Sequence, residues 1–226
     1  MQVVILAAGE GSRLAPLTSY IPKPLLPIHG KPLLSYIVDA LTDDEEIGDD
    51  VRVVCLDEFH DQFAHHLRAE VRNNYVQLHS FPKPAGTAGE LLRLEGDLDQ
   101  EFVVYYADIW TKFRVGEATR WWTDHRGSAI ACLVAAKKLK VDKGVLKLRG
   151  AEVVALQEKP ELDIVNLMGI DIYLKSVLKY AQPGEDLHGE TVPRAIGSGE
   201  KVLAYPTDET YEDLGTLRAY KAAQKG

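Results

Sequence analysis

Short apolar runs alternate with segments of helical periodicity along the first 136 residues. The runs at 3–7, 51–56, 76–79, 102–107 and 130–135 are continuous and bounded by turn residues, as in strands buried within a sheet. Between them, apolar positions recur every three to four residues at 32–41, 59–69, 87–94 and 115–125. This alternation predicts a Rossmann-like α/β fold: a mainly parallel sheet flanked by helices.

The pattern changes after residue 137. Two short strands at 144–148 and 151–157 surround Arg149-Gly150 and predict a β-hairpin. A strand at 167–174, a helix at 186–196, a strand at 202–205 and a closing helix at 216–223 follow. Because no linker or low-complexity tract divides the chain, we predict one domain over 1–226, whose second half, 137–226, forms a small β-rich lobe.

Composition and charge narrow the class of protein. The 226 residues include 34 acidic and 26 basic ones, for a net charge of −8, which argues against non-specific binding to nucleic acid or an anionic membrane. The first strand leaves no room for a signal peptide, so we expect a cytoplasmic protein. Cys55 and Cys132 lie in apolar runs and are expected to be buried, reduced thiols. Three histidines, at 60, 65 and 66, do not share one helix face and are expected to be solvated.

A glycine-rich loop follows the first strand, in the sequence VVILAAGEGSRLAPLT at 3–18. Glycines let the backbone approach a ligand, and successive N–H groups form an anion-binding nest to which Arg13 adds a fixed charge. A dinucleotide fingerprint would need a glycine at Leu14, and a Walker A loop would need Gly-Lys-Ser/Thr. We predict a triphosphate loop of another kind, with a plain strand-to-helix turn as the alternative. Its predicted nucleotide contacts are Leu6, Ala7, Ala8, Gly9, Gly11 and Ser12.

Two further charged residues stand in positions suited to phosphate chemistry. Lys23 is held between Pro22 and Pro24, and prolines stiffen the backbone on either side of it. Asp108 follows the apolar strand at 102–107, and ligands of open α/β sheets bind at the carboxyl ends of strands. A carboxylate there suits Mg²⁺, which binds a few carboxylates together with substrate phosphates. The alternatives are a solvated loop lysine and a strand-end turn aspartate.

The loop GEGSRLAPLT followed by PKPLLPIHGKPLL resembles the signature of the sugar-1-phosphate nucleotidylyltransferases, and the resemblance extends over the whole chain. It implies the nucleotide-diphospho-sugar transferase fold. It also implies a Mg²⁺-dependent enzyme that joins a nucleoside triphosphate to a sugar 1-phosphate, giving a nucleotide sugar and pyrophosphate. Residues 1–136 would then bind the nucleotide and 137–226 the sugar phosphate, with Arg13 and Lys23 as catalytic residues.

The family resemblance also assigns a base-binding segment. In AGTAG at 85–89, Gly86 and Thr87 would lie beside the nucleobase, and this form resembles the mannose-1-phosphate guanylyltransferase branch. Thymidylyltransferases carry a base-reading glutamine near Phe81, which this chain lacks. Ala107 replaces the glycine that usually precedes the metal aspartate. Guanylyl transfer is therefore favoured, while uridylyl and thymidylyl transfer and the identity of the sugar stay open.

Three later motifs match the family in order. In YEDLGT at 211–216, Asp213 would be the second metal ligand, although it could instead cap the final helix. In QEKP at 157–160, Glu158 would bind sugar hydroxyls and Lys159 the sugar phosphate. In the segment that follows, Asn166 would contact the sugar and Gly169 would permit its close approach.

Two other functions compete with this enzyme. One is a catalytically silent homologue that binds a nucleotide sugar as a regulator, and the other is transfer of CMP to a phosphorylated alcohol or choline. Retention of both metal carboxylates argues against a silent copy. No C-terminal β-helix is expected, so the chain resembles a minimal catalytic domain. The sequence leaves open whether the protein forms a homo-oligomer.

Overall fold

A central sheet organises the protein, as seen in a computed structural model that describes residues 1–47, 50–70, 76–141 and 143–225. The strands are β1 (Gln2–Leu6), β2 (Pro27–Ile28), β3 (Lys31–Pro32), β4 (Val51–Leu56), β5 (Val76–Phe81), β6 (Glu101–Tyr106), β7 (Ile109–Thr111), β8 (Ala131–Ala136), β9 (Leu139–Lys140), β10 (Val145–Arg149), β11 (Glu152–Gln157), β12 (Glu161–Leu162), β13 (Asn166–Leu174), β14 (Val202–Thr207) and β15 (Tyr211–Asp213). The α-helices are α1 (Leu33–Thr42), α2 (His60–Glu70), α3 (Gly86–Arg93), α4 (Val115–His125), α5 (Val192–Gly197) and α6 (Leu217–Ala223).

The main sheet has seven strands in the order β14-β8-β13-β6-β1-β4-β5. Six of them run parallel, while β13 is antiparallel to both of its neighbours, β6 and β8. Four two-stranded sheets accompany it: β10–β11, β9–β12, β7–β15 and β2–β3. The mainly parallel α/β fold and the β-rich second half predicted from the sequence are therefore confirmed.

Apolar side chains fill both faces of the main sheet, which explains why its strands read as continuous apolar runs. Val3 and Ile5 of β1 face one core, where α1, α2, α4 and α6 pack, and Val4 faces the other, where α3 and α5 pack. The helices thus cover the sheet on both sides. Both free cysteines are fully buried, as predicted, and burial raises the pKa of each thiol to about 12.

The apolar pattern does not predict the short strands β2, β3, β7, β9, β12 and β15, and one helix and two histidine side chains also differ from expectation. The helix predicted over 186–196 is a π-helix, Leu187–Thr191, followed by the short helix α5. Two of the three histidines expected to be solvated instead bind serines: His60 Nδ1 lies 3.2 Å from Ser80 Oγ, and His66 Nε2 lies 2.9 Å from Ser35 Oγ. These serines come from β5 and α1, which pack beside α2, so helical spacing within α2 could not reveal them.

Candidate functional site

A pocket of about 220 Å³ opens at the carboxyl ends of β1 and β6. These two strands pair in parallel, so the segments that follow them leave the sheet side by side. The predicted site residues that line this pocket are Leu6, Ala7, Ala8, Gly9, Lys23, Gly86, Thr87 and Asp108. The structure therefore brings the glycine-rich loop, the proline-flanked lysine and the strand-end aspartate into one place.

The glycine-rich loop is held in a tight turn by its own residues. Gly11 has the left-handed conformation, φ 64°, and its carbonyl accepts a hydrogen bond of 2.9 Å from Thr18 Oγ1. A Cβ at Gly11 would lie 2.8 Å from Thr18 Cγ2, so a side chain there is excluded by both conformation and contact. Ser12 and Arg13 then begin a short 3-10 helix, Ser12–Leu14, outside the pocket lining.

Lys23 forms an ion pair with Asp108 inside the pocket. Its Nζ lies 2.6 Å from Asp108 Oδ2, and the two side chains are 16% and 19% exposed. Lys23 begins a 3-10 helix, Lys23–Leu25, entered through Pro22 in an extended conformation. The stiff frame predicted around Lys23 thus points its ammonium at the carboxylate that follows β6.

The side chains of Arg13 and Asp213 both lie against Gly215. Strand β15 pairs antiparallel with β7 so that Asp213 stands opposite Ile109, one residue after Asp108. A Cβ at Gly215 would lie 2.7 Å from Asp213 Oδ1 and 2.8 Å from Arg13 Nη2, which shows that both charged groups rest against this glycine. The C-terminal motif therefore delivers a second carboxylate and accommodates the guanidinium of the N-terminal loop.

Asp213 does not cap the final helix, which was the alternative to a metal role. Its Oδ1 accepts a hydrogen bond of 2.7 Å from the N–H of Gly215. Thr216 caps α6 instead, because its Oγ1 accepts a hydrogen bond of 3.2 Å from the N–H of Ala219.

Two carboxylates form a donor set that suits a magnesium ion. Asp108 and Asp213 come from adjacent ends of paired segments, and the N–H of Leu214 donates to the carbonyl of Asp108 at 2.9 Å. Mg²⁺ takes few protein carboxylates and completes its coordination with water and phosphate oxygens. Among the described residues no group of three or more His, Cys, Asp or Glu side chains is arranged to hold a metal. Asp108 and Asp213 are the two predicted metal ligands, and their binding of Mg²⁺ stays a prediction.

Helix α3 supplies the opposite wall of the pocket. Gly86 has φ 70°, and a Cβ there would lie 2.3 Å from the carbonyl oxygen of Glu185. The N–H and Oγ1 of Thr87 lie 3.4 and 3.3 Å from Asp186 Oδ1. The small residues of this segment thus allow the chain at 185–186 to approach the helix start, and Gly86, Thr87 and Asp186 all line the pocket.

The sugar-phosphate residues expected from the family motifs lie outside this pocket. Glu158 and Lys159 are exposed, and Lys159 has a positive φ of 49° in the turn between β11 and β12. A Cβ at Gly144 would lie 3.2 Å from Glu158 Oε2, which places that carboxylate at the start of the hairpin. Their contacts with a sugar phosphate stay predictions.

Asn166 is occupied by contacts within the protein. Its Nδ2 donates to three carbonyls, those of Ala136, Lys138 and Ile164, at 3.0–3.2 Å, and its Oδ1 accepts from Tyr211 Oη at 2.7 Å. These bonds join the end of β8 to β15. A contact of Asn166 with a sugar would have to use hydrogen-bonding capacity that these four bonds leave free, and it stays a prediction.

Gly169 is required by packing. Its φ is 82°, and a Cβ there would lie 2.9 Å from Ile109 Cγ1 and 3.4 Å from Tyr106 Cβ. The pairing of β13 with β8 is irregular between Leu167 and Asp171, so the glycine sits within this irregularity.

A second pocket, of about 210 Å³, lies beside Asp213 in the second half of the chain. The residues lining it are Lys138, Leu139, Lys140, Glu161, Thr210, Tyr211 and Asp213. Asp213 thus lines a second pocket that also contains two lysines, while the N–H of its neighbour Leu214 bonds to Asp108 of the first pocket.

Six residues that line the first pocket were not among the predicted site residues: Pro24, Pro84, Glu90, Tyr106, Ala107 and Asp186. Tyr106 stands two positions before Asp108, a spacing that could have placed both on the same side of the chain. Glu90 is four residues after Gly86 on α3, on the same helix face. Asp186 had no local signal, because its approach to Thr87 joins residues 99 positions apart.

Comparison with known proteins decides the family. The family model described as "Nucleotidyl transferase" matches residues 2–226. This chain belongs to the nucleotidyl transferase family. The resemblance read from the motifs of this nucleotidyl transferase is therefore confirmed.

Two relatives have names that specify different nucleotides and sugars. The chain is 28% identical to the UTP–glucose-1-phosphate uridylyltransferase of Synechocystis sp., covering 100% of this chain and 63% of that protein. It is 26% identical to mannose-1-phosphate guanylyltransferase 1 of Arabidopsis thaliana, covering 97% of this chain and 63% of that protein. The nucleotidyl transferase thus spans about three fifths of the length of these relatives.

A solved structure shows the same fold. HddC from Yersinia pseudotuberculosis, complexed with GMP-PN, superposes with a TM-score of 0.74 at 19% identity, covering 99% of this chain and 98% of that one. In the described part of the nucleotidyl transferase, no helix is both long and apolar enough to cross a membrane.

Proposed function

We propose that this nucleotidyl transferase joins a nucleoside triphosphate to a sugar 1-phosphate, releasing pyrophosphate and giving a nucleotide sugar. The observation that carries the proposal is a set of four charged residues, two of which line the pocket while the other two lie against the segment bonded to Asp108. Lys23 and Asp108 pair inside the pocket, and Arg13 and Asp213 lie against Gly215, in a segment bonded to the carbonyl of Asp108. Two cations for phosphates and two carboxylates for a metal form the charge set that phosphoryl chemistry needs.

The reaction needs positioning more than acid–base chemistry. The nucleophile is a phosphate oxygen of the sugar 1-phosphate, which is already ionised at neutral pH. It forms a bond to the α-phosphorus, while the bond from that phosphorus to the α–β bridging oxygen breaks and pyrophosphate departs with the electron pair. Holding two anions in line and compensating their charge is then the main task of the protein.

Each charged residue has a role in this reaction. Arg13 and Lys23 would bind triphosphate oxygens and stabilise the charge that develops on the leaving pyrophosphate. Asp108 and Asp213 would hold Mg²⁺, which when bound neutralises phosphate charge. Lys159 would hold the sugar phosphate. Lys23 and Asp108 pair with each other, and binding of the triphosphate and Mg²⁺ would replace this pair with contacts to phosphate and metal.

The nucleobase would bind in the part of the pocket that is lined by Gly86 and Thr87. The start of α3 combines small residues with a buried carboxylate, because Glu90 is 4% exposed and lines the pocket. We favour GTP as the donor, because this segment resembles the guanylyl branch and Phe81 stands near the position of the thymidylyl glutamine. UTP is the second donor to test, in line with the name of the Synechocystis relative.

The decisive experiment is a panel of the nucleoside triphosphates with glucose, mannose and N-acetylglucosamine 1-phosphates, and with phosphocholine and glycerol phosphate, with Mg²⁺ present or chelated. Pyrophosphate release is measured for each pair. We expect release with one triphosphate and one sugar 1-phosphate, abolished by chelation. Release with CTP and a phosphorylated alcohol alone would replace the proposal with the CMP-transfer reaction. Binding of a nucleotide sugar without release from any pair would replace it with a regulatory function.

Two variants test the assigned roles. Arg13→Ala and Lys23→Ala are expected to lose about 10²–10³-fold in turnover, the cost of removing a preorganised charge donor. The matched control is Lys179→Ala. This variant removes the ion pair between Lys179 and Glu200, and neither residue lines the pocket. Near-normal turnover in either site variant would refute that residue's role.

A further inference from the structure

A buried carboxylate lies directly behind the pocket, and the proposed reaction does not use it. Asp171 sits in the middle of β13 with 0% exposure. Its Oδ2 lies 2.7 Å from His188 Nε2 and accepts a hydrogen bond of 3.3 Å from Tyr173 Oη, while its Oδ1 is buried without a partner. A buried carboxylate is costly unless a positive charge compensates it. The only group placed to supply that charge among these partners is His188.

His188 lies in a π turn, Leu187–Thr191, which holds one residue more than an α-helical turn and is therefore wider. The N–H of Glu190 donates to the carbonyl of Asp186 in the α-helical pattern, and the N–H of Thr191 donates to the same carbonyl in the π pattern. Such π turns are energetically unfavourable and are frequent at functional sites. Here the turn directs the imidazole across the surface of the sheet towards β13.

The ring of His188 also lies flat on a pocket residue. It stacks on Tyr106 with a centroid distance of 5.2 Å and an interplanar angle of 13°. Tyr106 is the last residue of β6, lines the pocket, and contacts the space beside Gly169. A protonated imidazole in this position would attract the face of the tyrosine ring as a cation.

Charges around the pair favour the protonated imidazole. Burial lowers the pKa of His188, but the hydrogen bond and charge of Asp171, helped by Asp186, outweigh burial, and the net pKa is raised. The pKa of Tyr106 is also raised. Burial is the main cause, and the charge of Asp171 adds to it, while a hydrogen bond with Thr87 opposes the rise. The titratable groups facing the imidazole are therefore Asp171 and Tyr173 from β13, Tyr106 from β6, and Asp186 from its own segment.

We propose that Asp171 and His188 are positioning residues that clamp the ring of Tyr106 and so fix the wall of the pocket against which the nucleotide binds. This inference rests on the proposed function for the identity of the ligand. Tyr106 is then the residue that touches substrate, and the ion pair acts through it. Loss of the clamp leaves Arg13, Lys23 and the carboxylates in place, so nucleotide binding weakens while the chemical step keeps its rate.

The test compares two substitutions and one matched control. His188→Gln removes the stacked cation, and Asp171→Asn removes the charge that keeps the imidazole protonated. His125→Gln is the control, because His125 also stacks on an aromatic ring, Trp121, at 4.6 Å, but on α4, outside the pocket lining. We expect both site variants to raise KM and the calorimetric Kd of the nucleoside triphosphate about threefold to tenfold, with kcat within about twofold, as for loss of one aromatic contact. The control is expected to change neither.

A pH series separates positioning from a merely structural role. The ratio of KM for Asp171→Asn to KM for the wild type is expected to be largest between the lowered pKa of His188 in the variant and its raised pKa in the wild type, where only the wild type carries the imidazolium. It should fall towards one as the pH rises through the raised pKa, because both proteins then carry a neutral imidazole. Taking the ratio cancels the titration of the substrates themselves.

Histidine NMR of the labelled, full-length protein measures the protonation of His188 without any turnover, with its signal assigned by its loss in His188→Gln. A pKa above 6.5 that falls in Asp171→Asn supports the clamp; an unshifted pKa, or site variants that bind nucleotide like the control, would overturn it. If no substrate pair releases pyrophosphate, the proposed function fails, while the NMR and calorimetric results still decide this inference.

Discussion

Replacement of Gly215 by alanine tests whether Arg13 and Asp213 act where the structure holds them. The new Cβ would lie 2.7 Å from Asp213 Oδ1 and 2.8 Å from Arg13 Nη2, whereas ordinary contact begins at 3.4 Å. Each charged group must therefore move by about 0.6 Å or more, since neither can overlap the methyl carbon. Both are ends of flexible side chains, and Gly215 does not have a positive φ, so the fold should tolerate the change.

The expected result is a loss of activity without loss of stability. Displacement of a positioned group by about 1 Å can cost about 10²-fold in rate, so we expect kcat of Gly215→Ala to fall about tenfold to a hundredfold. Thermal melting should change by less than about 2 °C, the shift that corresponds to under 1 kcal/mol in a chain of this size. The assay is pyrophosphate release at saturating substrates, with melting followed by circular dichroism.

The control and the double variant make the prediction strict. Gly96→Ala adds a methyl group where no atom lies within 4 Å, so its kcat should equal that of the wild type. In an Arg13→Ala background, Gly215→Ala should cost less than it does alone, because one of the groups it displaces is already gone. A kcat of Gly215→Ala within twofold of the wild type, or full additivity with Arg13→Ala, would refute the placement of these two residues.

Four further predictions concern stability and reactivity. Thr216→Ala should lower the free energy of unfolding in urea by about 1 kcal/mol through loss of the α6 cap, while Thr216→Ser retains it; equal stability of the two would contradict the cap. Gly86→Ala should cost at least about 2 kcal/mol, because φ is 70° and its Cβ would lie 2.3 Å from a carbonyl oxygen, and a melting curve like the wild type would exclude this tight approach. Cys55 and Cys132 should react with a thiol reagent at pH 8 only on unfolding, since burial raises the pKa of each thiol to about 12; rapid labelling of the native protein would disagree. The stability that wild type has over His188→Gln should be fully present below pH 6.5 and decline as the pH rises through the raised pKa of His188, and urea unfolding across pH would show the opposite trend if the imidazole were neutral when folded.

Local signals predicted the first half of the molecule well. The strand β1, the loop after it and the Pro22-Lys23-Pro24 frame are each contiguous in sequence, so their chemistry is visible without knowledge of the fold. The carboxyl-end rule places Asp108 at the same edge of the sheet, and in the structure Lys23 and Asp108 meet in one pocket.

Long-range pairings were beyond the reach of sequence patterns. The strands β7 and β15 have three residues each and pair across about 100 positions, too short for any period to predict. The π turn at 187–191 has the apolar spacing of an ordinary helix, so the direction of His188 was invisible. The hydrogen bonds of Asn166 depend equally on neighbours brought in by the sheet.

The pairing of β7 with β15 also has a consequence for the order in which the protein becomes functional during translation. All residues that line the first pocket lie at or before Asp108 in the sequence, apart from Asp186. Asp213 and Gly215 leave the ribosome more than 100 residues after Asp108. A nascent chain can thus complete its first sheet strands long before the second carboxylate arrives. The residues that line the first pocket, including Asp186, are thus all synthesised before Asp213, the second of the two proposed metal ligands.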